Sequence, residues 1–187
     1  FTGNKNKYSE IKRLLKNTNL KIYTLNNFKN FREPIESGKS FAENAKIKSD
    51  FGFIKTNIPC FADDSGICIK ALNYKPGILS KRYLNKFKSN KDCFNKIINQ
   101  VEKSGEQAAF FKTSISLTIR LGITVCFEGV VRGKISNKVC GKNGFGYDPI
   151  FIPNGYSKTF AEMDIETKNL ISHRSIAMKK LVNFLTN

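Results

Sequence analysis

The chain has 187 residues, 40% of them hydrophobic and 16 of them Phe, enough for one domain or for two lobes sharing one core. Its charged fraction of 25% argues against a disordered chain, and no apolar run nears the roughly 20 residues that cross a bilayer, so a soluble protein is expected. The net charge of +17 is large, but the lysines are scattered through every section without a basic block, so composition rather than a nucleic-acid surface is its expected source.

The sequence opens at Phe1 directly before Thr-Gly-Asn, so the first strand is expected to be truncated. No secretory signal pattern leads it. Residues 8–16 carry apolar positions at helical spacing, and "KIYTL" reads as the next strand. An exposed connection follows, and then "SFAENAKIKSDFGFIKT" as a helix, with Ser40 placed to cap it and Glu43 three residues on. "IPCFA" and "GICIKAL" are expected as strands flanking an acidic turn at Asp63-Asp64-Ser65. Residues 90–103 form another amphipathic helix.

"AAFFKTSISLTIR" and "ITVCFEGVVRGKIS" are β-rich runs joined by Leu121-Gly122, a two-residue hairpin connection. A Gly-aromatic segment follows, and then a last helix capped by Ser172 with His173 and Arg174 in its first turn. Helices alternating with an antiparallel hairpin predict an α/β fold with a mixed central β-sheet and flanking helices. The five cysteines are odd in number and hold no C-x-x-C pair, which predicts free thiols in a reducing cytoplasm.

Five segments carry candidate chemistry. A strand end, Thr2-Gly3-Asn4, and a helix starting near Lys7 would aim backbone N–H groups and an ammonium at an anion. Glu43 suits either a capping role or a hard oxygen ligand for magnesium. Of Asp63 and Asp64, which point to opposite faces if they sit on a strand, one can brace the segment while the other accepts a proton from water. "GFGYDP" can lay an aromatic ring against a base. "SHR" holds the only histidine beside an arginine, a donor-rich corner suited to a carbonyl or phosphate, with Lys168 nearby.

The series "TGNKNK", "SFAENAKIK", "ADDSG", "PGILSKRY", "NGFGYDPIF" and "ETKNLISHR" resembles the inosine triphosphate pyrophosphatase (Ham1) family of non-canonical purine nucleoside triphosphate pyrophosphatases, in its bacterial form. The resemblance covers nearly the whole chain and implies a single domain over residues 1–187, built as two lobes around an active-site cleft. It implies Mg²⁺-dependent hydrolysis of ITP, dITP or XTP to the monophosphate and pyrophosphate, in a cytoplasmic homodimer that binds neither membrane nor nucleic acid.

By resemblance, Thr2, Gly3, Asn4, Lys5, Asn6 and Lys7 form the first phosphate loop. Glu43 and Asp64 hold magnesium, and Asp64 is also the proton acceptor, supported by Asp63. Ser65 contacts substrate, and Arg82 supports its loop. Phe145, Gly146, Tyr147 and Asp148 wrap the base, with Phe145 stacking on it. Lys168 reaches the nucleotide, while His173 and Arg174 read the base edge. The sister Maf-like pyrophosphatases share fold and reaction, but their S-x-S-P-R opening is absent here. A basic nucleic-acid-binding module and a purely structural nucleotide-binding relative without turnover are the remaining alternatives.

Overall fold

The computed structural model describes residues 5–15, 22–23 and 34–186, with side chains from residue 7 onward. Among these lie six α-helices and a four-stranded sheet in the order β1-β2-β3-β4. In chain order they are α1 (Lys5–Leu14), α2 (Phe41–Thr56), β1 (Cys60–Ile69), α3 (Ser80–Leu84), α4 (Asn90–Ser104), β2 (Ala108–Arg120), β3 (Ile123–Ile135), β4 (Phe151–Pro153), α5 (Ile165–Ile171) and α6 (His173–Thr186). The expected α/β class holds, and β3 and β4 pair antiparallel, with Lys134 opposite Ile152. The strand expected over 21–25 lies, apart from Ile22 and Tyr23, outside the described residues, as does Thr2-Gly3-Asn4.

The local signals act as their chemistry requires. Ser40 is extended, and its Oγ accepts from the Glu43 N–H at 3.1 Å, satisfying one of the four free donors at the start of α2. Ser89 does the same for α4 through Asp92 N–H. Between β2 and β3, Gly122 takes φ 83°, a left-handed conformation that the two-residue connection needs and that glycine adopts without strain.

One expectation fails. "FADDSGICI" contains no turn, because β1 runs unbroken from Cys60 to Ile69 and carries both acids mid-strand. Gly66 is not in the left-handed region. It is needed for space: a Cβ there would lie 2.2 Å from Gly77 O and 2.4 Å from Ser80 Oγ. Ser80 Oγ in turn accepts from Ile67 N–H at 3.0 Å and donates to Gly77 O at 2.6 Å. The "PGILS" segment therefore lies directly on the strand.

The chain divides into two compact units, the first being Phe1–Asp64, Thr113–Gly129 and Arg174–Asn187, and the second Ser65–Lys112 and Val130–His173. In the first, Ile11 and Leu15 pack with Ile115 and Leu117 of β2 and with Ala177, Met178 and Leu181 of α6. The alternate residues of β2 are hydroxyls: Ser116 and Thr118 both bond Ser49 of α2, at 3.0 and 2.8 Å. Small residues at Ala45, Ser49 and Gly52 give α2 the narrow face it buries there. The second unit has an apolar and aromatic centre, where Cys93, Phe94, Ile97, Ile98 and Val101 of α4 meet Ile67, Ile69, Phe111, Phe151 and Phe160. Phe111 and Phe151 pack edge to face with centroids 4.8 Å apart.

Candidate active site

Side chains alternate along a strand, so β1 presents its adjacent acids to different surroundings. Asp63 is buried. Its Oδ2 is 2.9 Å from Lys7 Nζ and accepts from Arg174 Nε and Nη2, each at 3.4 Å. Arg174 also donates through Nη1 to Glu10 of α1. Burial alone would raise the Asp63 carboxyl, but Lys7, then Arg174 and Lys48, outweigh it and hold the group far below the usual carboxylate range. For Lys7, burial lowers the ammonium, Asp63 offsets part of this, and Arg174 and Lys48 lower it further. Asp63 is thus a fixed anion bracing two cations.

Asp64 has a different setting. Its Oδ2 accepts from Asn44 Nδ2 at 3.3 Å, and its Oδ1 lies 3.5 Å from Lys48 Nζ. Burial raises its carboxyl above the ordinary value, and Glu36 adds to the rise, while Lys48, Lys7 and Asn44 only partly oppose it. A carboxylate with raised proton affinity, held by two donors, is suited to take a proton.

Lys48 is buried and also pairs with Glu36 at 2.8 Å. Burial lowers its ammonium, but Asp63, Asp64 and Glu36 together leave it raised. Its Nζ is a cation placed between two hard oxygen donors. Both carboxylates pair with that one ammonium, Glu36 at 2.8 Å and Asp64 at 3.5 Å, and carboxylate oxygens are the hard donors that suit magnesium. Among the described residues no group of three or more His, Cys, Asp or Glu forms a closed metal cage. A magnesium ion held by one or two carboxylates and completed by phosphate oxygens and water needs none.

Glu43, the ligand expected from the sequence, stands next to Asn44 on α2. It is exposed at the start of α2, and its Oε2 accepts from Lys39 N–H at 2.7 Å. The capping geometry departs from a capping box in that the amide donating to the Glu43 carboxylate is that of Lys39 rather than Ser40.

The second unit holds the Gly-aromatic motif. Phe145 N–H donates to Asp148 Oδ2 at 2.7 Å, and Lys168 Nζ pairs with the same oxygen at 2.7 Å. The Lys168 ammonium also lies 4.9 Å from the Phe145 ring centroid, a cation–π arrangement. Tyr147 is buried and donates to Ser80 O at 2.9 Å, and burial raises its phenol far above the ordinary value. Gly146 and Ser65 are half-buried, and Arg82 on α3 is exposed.

The "SHR" corner, read as one group of donors, divides. The His173 ring stacks on Phe111 at 4.6 Å with 7° between planes, inside the second unit. The Arg174 side chain belongs to the first unit and is enclosed by Asp63 and Glu10. Of the first loop, Lys7 joins Asp63, Lys5 and Asn6 are placed only as the opening positions of α1, and Thr2, Gly3 and Asn4 lie outside the described residues.

Sequence reasoning missed Glu10, Glu36, Asn44 and Lys48. A signal for two of them was present: Asn44 and Lys48 stand one turn apart on α2, on a side that also carries small buried residues, where a polar pair is out of place unless it has partners. Glu10 and Glu36 carry no such mark.

Fold and site together define an α/β protein that presents a braced, cation-rich carboxylate pair on one strand. Comparison makes the class particular. The model of the Ham1 family matches residues 1–184. A dITP/XTP pyrophosphatase of Flavobacterium johnsoniae is 38% identical over 185 residues, covering 99% of this chain and 95% of that one. One from Borrelia duttonii is 40% identical over 192 residues, covering 98% and 94%. Among solved structures, a HAM1 protein from Coxiella burnetii superposes with a TM-score of 0.90 at 35% identity, covering 99% of this chain and 95% of that one. The Staphylococcus aureus Ham1 protein gives 0.86 at 34%, covering 98% and 95%. The chain belongs to the Ham1 family.

Proposed function

We propose that this protein is a Mg²⁺-dependent pyrophosphatase of non-canonical purine nucleoside triphosphates (ITP, dITP and XTP) that removes them from the nucleotide pool. The observation that carries the reading is Asp64, a carboxylate of raised proton affinity oriented by Asn44 and Lys48 and set beside a second carboxylate, Glu36. The dITP/XTP pyrophosphatases that match the chain end to end support the reaction and the substrate class.

In this mechanism a water oxygen bonds to phosphorus as its proton passes to an Asp64 oxygen. The α–β anhydride bond breaks, and pyrophosphate leaves. Lys7 and Lys48 face the charge that builds on the departing group. Glu43 and Asp64 would hold magnesium, which when bound supplies neutralisation of the triphosphate charge. Asp63 keeps Lys7 and Arg174 in place, so Arg174 is assigned to bracing rather than to reading the base.

Phe145 offers its ring to the base. A carbonyl at the purine 6-position accepts hydrogen bonds, so donors such as Lys168 and His173 match it, and adenine's amino group leaves them unmatched. Mismatches of this type reach the order of 10⁴-fold in selectivity. Family resemblance supports a cytoplasmic homodimer, and five free cysteines accord with a reducing compartment.

The test is product analysis. With Mg²⁺ and dITP or XTP, the expected products are the monophosphate and pyrophosphate, with dATP turned over far more slowly. Orthophosphate and a nucleoside diphosphate as main products would overturn the mechanism, and equal rates on dATP would overturn the specificity.

A further inference from the structure

Two residues of α2, one turn apart, each bridge Asp64 to the segment 36–38. Lys48 spans Asp64 and Glu36, as described. Asn44 spans Asp64 and Gly38: its Nδ2 donates to Asp64 Oδ2 at 3.3 Å, and its Oδ1 accepts from Gly38 N–H at 2.8 Å. The segment lies hard against the helix there, because a Cβ on Gly38 would be 2.7 Å from both Asn44 Oδ1 and Glu43 Cβ. Asn44 is 2% exposed. Only a side chain with a donor and an acceptor on one rigid plane makes both bonds, and the partners fix which end is which, since Gly38 N–H needs an acceptor and a carboxylate needs a donor. Behind it, α2 is anchored on β2 through Ser49 to Ser116 and Thr118, and Thr118 donates to Asp50 at 2.6 Å.

The two bridges differ in kind. The Lys48 bridge is ionic, and an arriving phosphate competes for its ammonium. The Asn44 bridge is neutral and offers a phosphate no charge. We infer that Asn44 is a positioning residue, which keeps the Asp64 carboxylate and the Glu36-bearing segment in register while Lys48 turns to the substrate. The inference rests on the assignment of Asp64 as proton acceptor.

The experiment compares Asn44→Ala, which loses both bonds, with Asn44→Asp, which keeps an acceptor for Gly38 but deprives Asp64 of its donor. Turnover of dITP is measured with KM and kcat resolved. Mg²⁺ binding is measured by titration calorimetry with an α,β-methylene analogue of dITP, and thermal melts report the folded fraction. Both variants are expected to lower kcat about 10–100-fold, the scale for misplacing a reacting group by about 1 Å, with KM within about threefold. Mg²⁺ affinity should weaken about tenfold or more, the scale for groups that orient ligands.

Folded Asn44→Ala or Asn44→Asp protein with wild-type kcat and Mg²⁺ affinity would overturn the inference. So would a loss explained wholly by the unfolded fraction, or one confined to KM. An Asp64→Asn control separates the two levels. If that control stays active, the functional reading itself falls. If it is inactive while both Asn44 variants work normally, only the inference on Asn44 falls.

Discussion

The two units solve the problem of an interior in opposite ways. The first buries Asp63, Asp64, Lys48 and Arg174 beside a seam of hydroxyls from Ser49, Ser116 and Thr118. The second closes around Phe94, Phe111, Phe151 and Phe160, and a buried ion pair, Lys168 with Asp148, lies at its Gly-aromatic motif. Charges are removed from water at high cost, and a chain keeps them only with partners. The boundary falls between Asp64 and Ser65 and again between His173 and Arg174, so two motifs that are continuous in sequence supply both kinds of interior.

The contrast can be broken by mutation. Asp63→Asn should give the largest stability loss. It leaves Lys7 and Arg174 buried with their shared anion gone, and removing one partner of a buried pair costs about 3–5 kcal/mol. Urea unfolding midpoints measure this. The pH dependence sharpens it: the folded Asp63 carboxyl lies below its unfolded value of about 3.9. Its stabilisation is therefore complete above that value and is lost as pH falls through the folded pKa, so wild type and Asp63→Asn should converge in acid. Asp64, raised in the fold, has the opposite sign. Its ionised form costs stability above the folded pKa, and Asp64→Asn should be no less stable than wild type at neutral pH. The smallest effect belongs to the second unit, where Tyr147→Phe removes the bond to Ser80 O. About 1 kcal/mol, or a melting shift of roughly 2–4 °C, is expected.

Much of this fold was legible in the sequence, because caps and strand patterns are local. Ser40 and Ser89 sit where their helices begin, and Leu121-Gly122 joins two strands with the expected ends. "ADDSG" misled for a physical reason. Gly66 looks like turn chemistry, yet its function is to admit Gly77 and Ser80, a tertiary contact that composition does not display. The opposite facing of Asp63 and Asp64 followed from strand geometry. Their partners did not, since Asn44 and Arg174 reach them across 20 and 111 positions. Glu36 lies 12 residues before Lys48 in a segment without periodicity, so nothing in the sequence marked it, whereas Glu43 was singled out by the family resemblance.

The central claim is that one strand divides its labour, Asp63 bracing and Asp64 reacting. The direct measurement is dITP turnover by Asp64→Asn protein shown by thermal melting to be folded. The account predicts a fall in kcat of roughly 10²–10⁴-fold with the melting point at or above wild type. Wild-type turnover by the folded variant would contradict it.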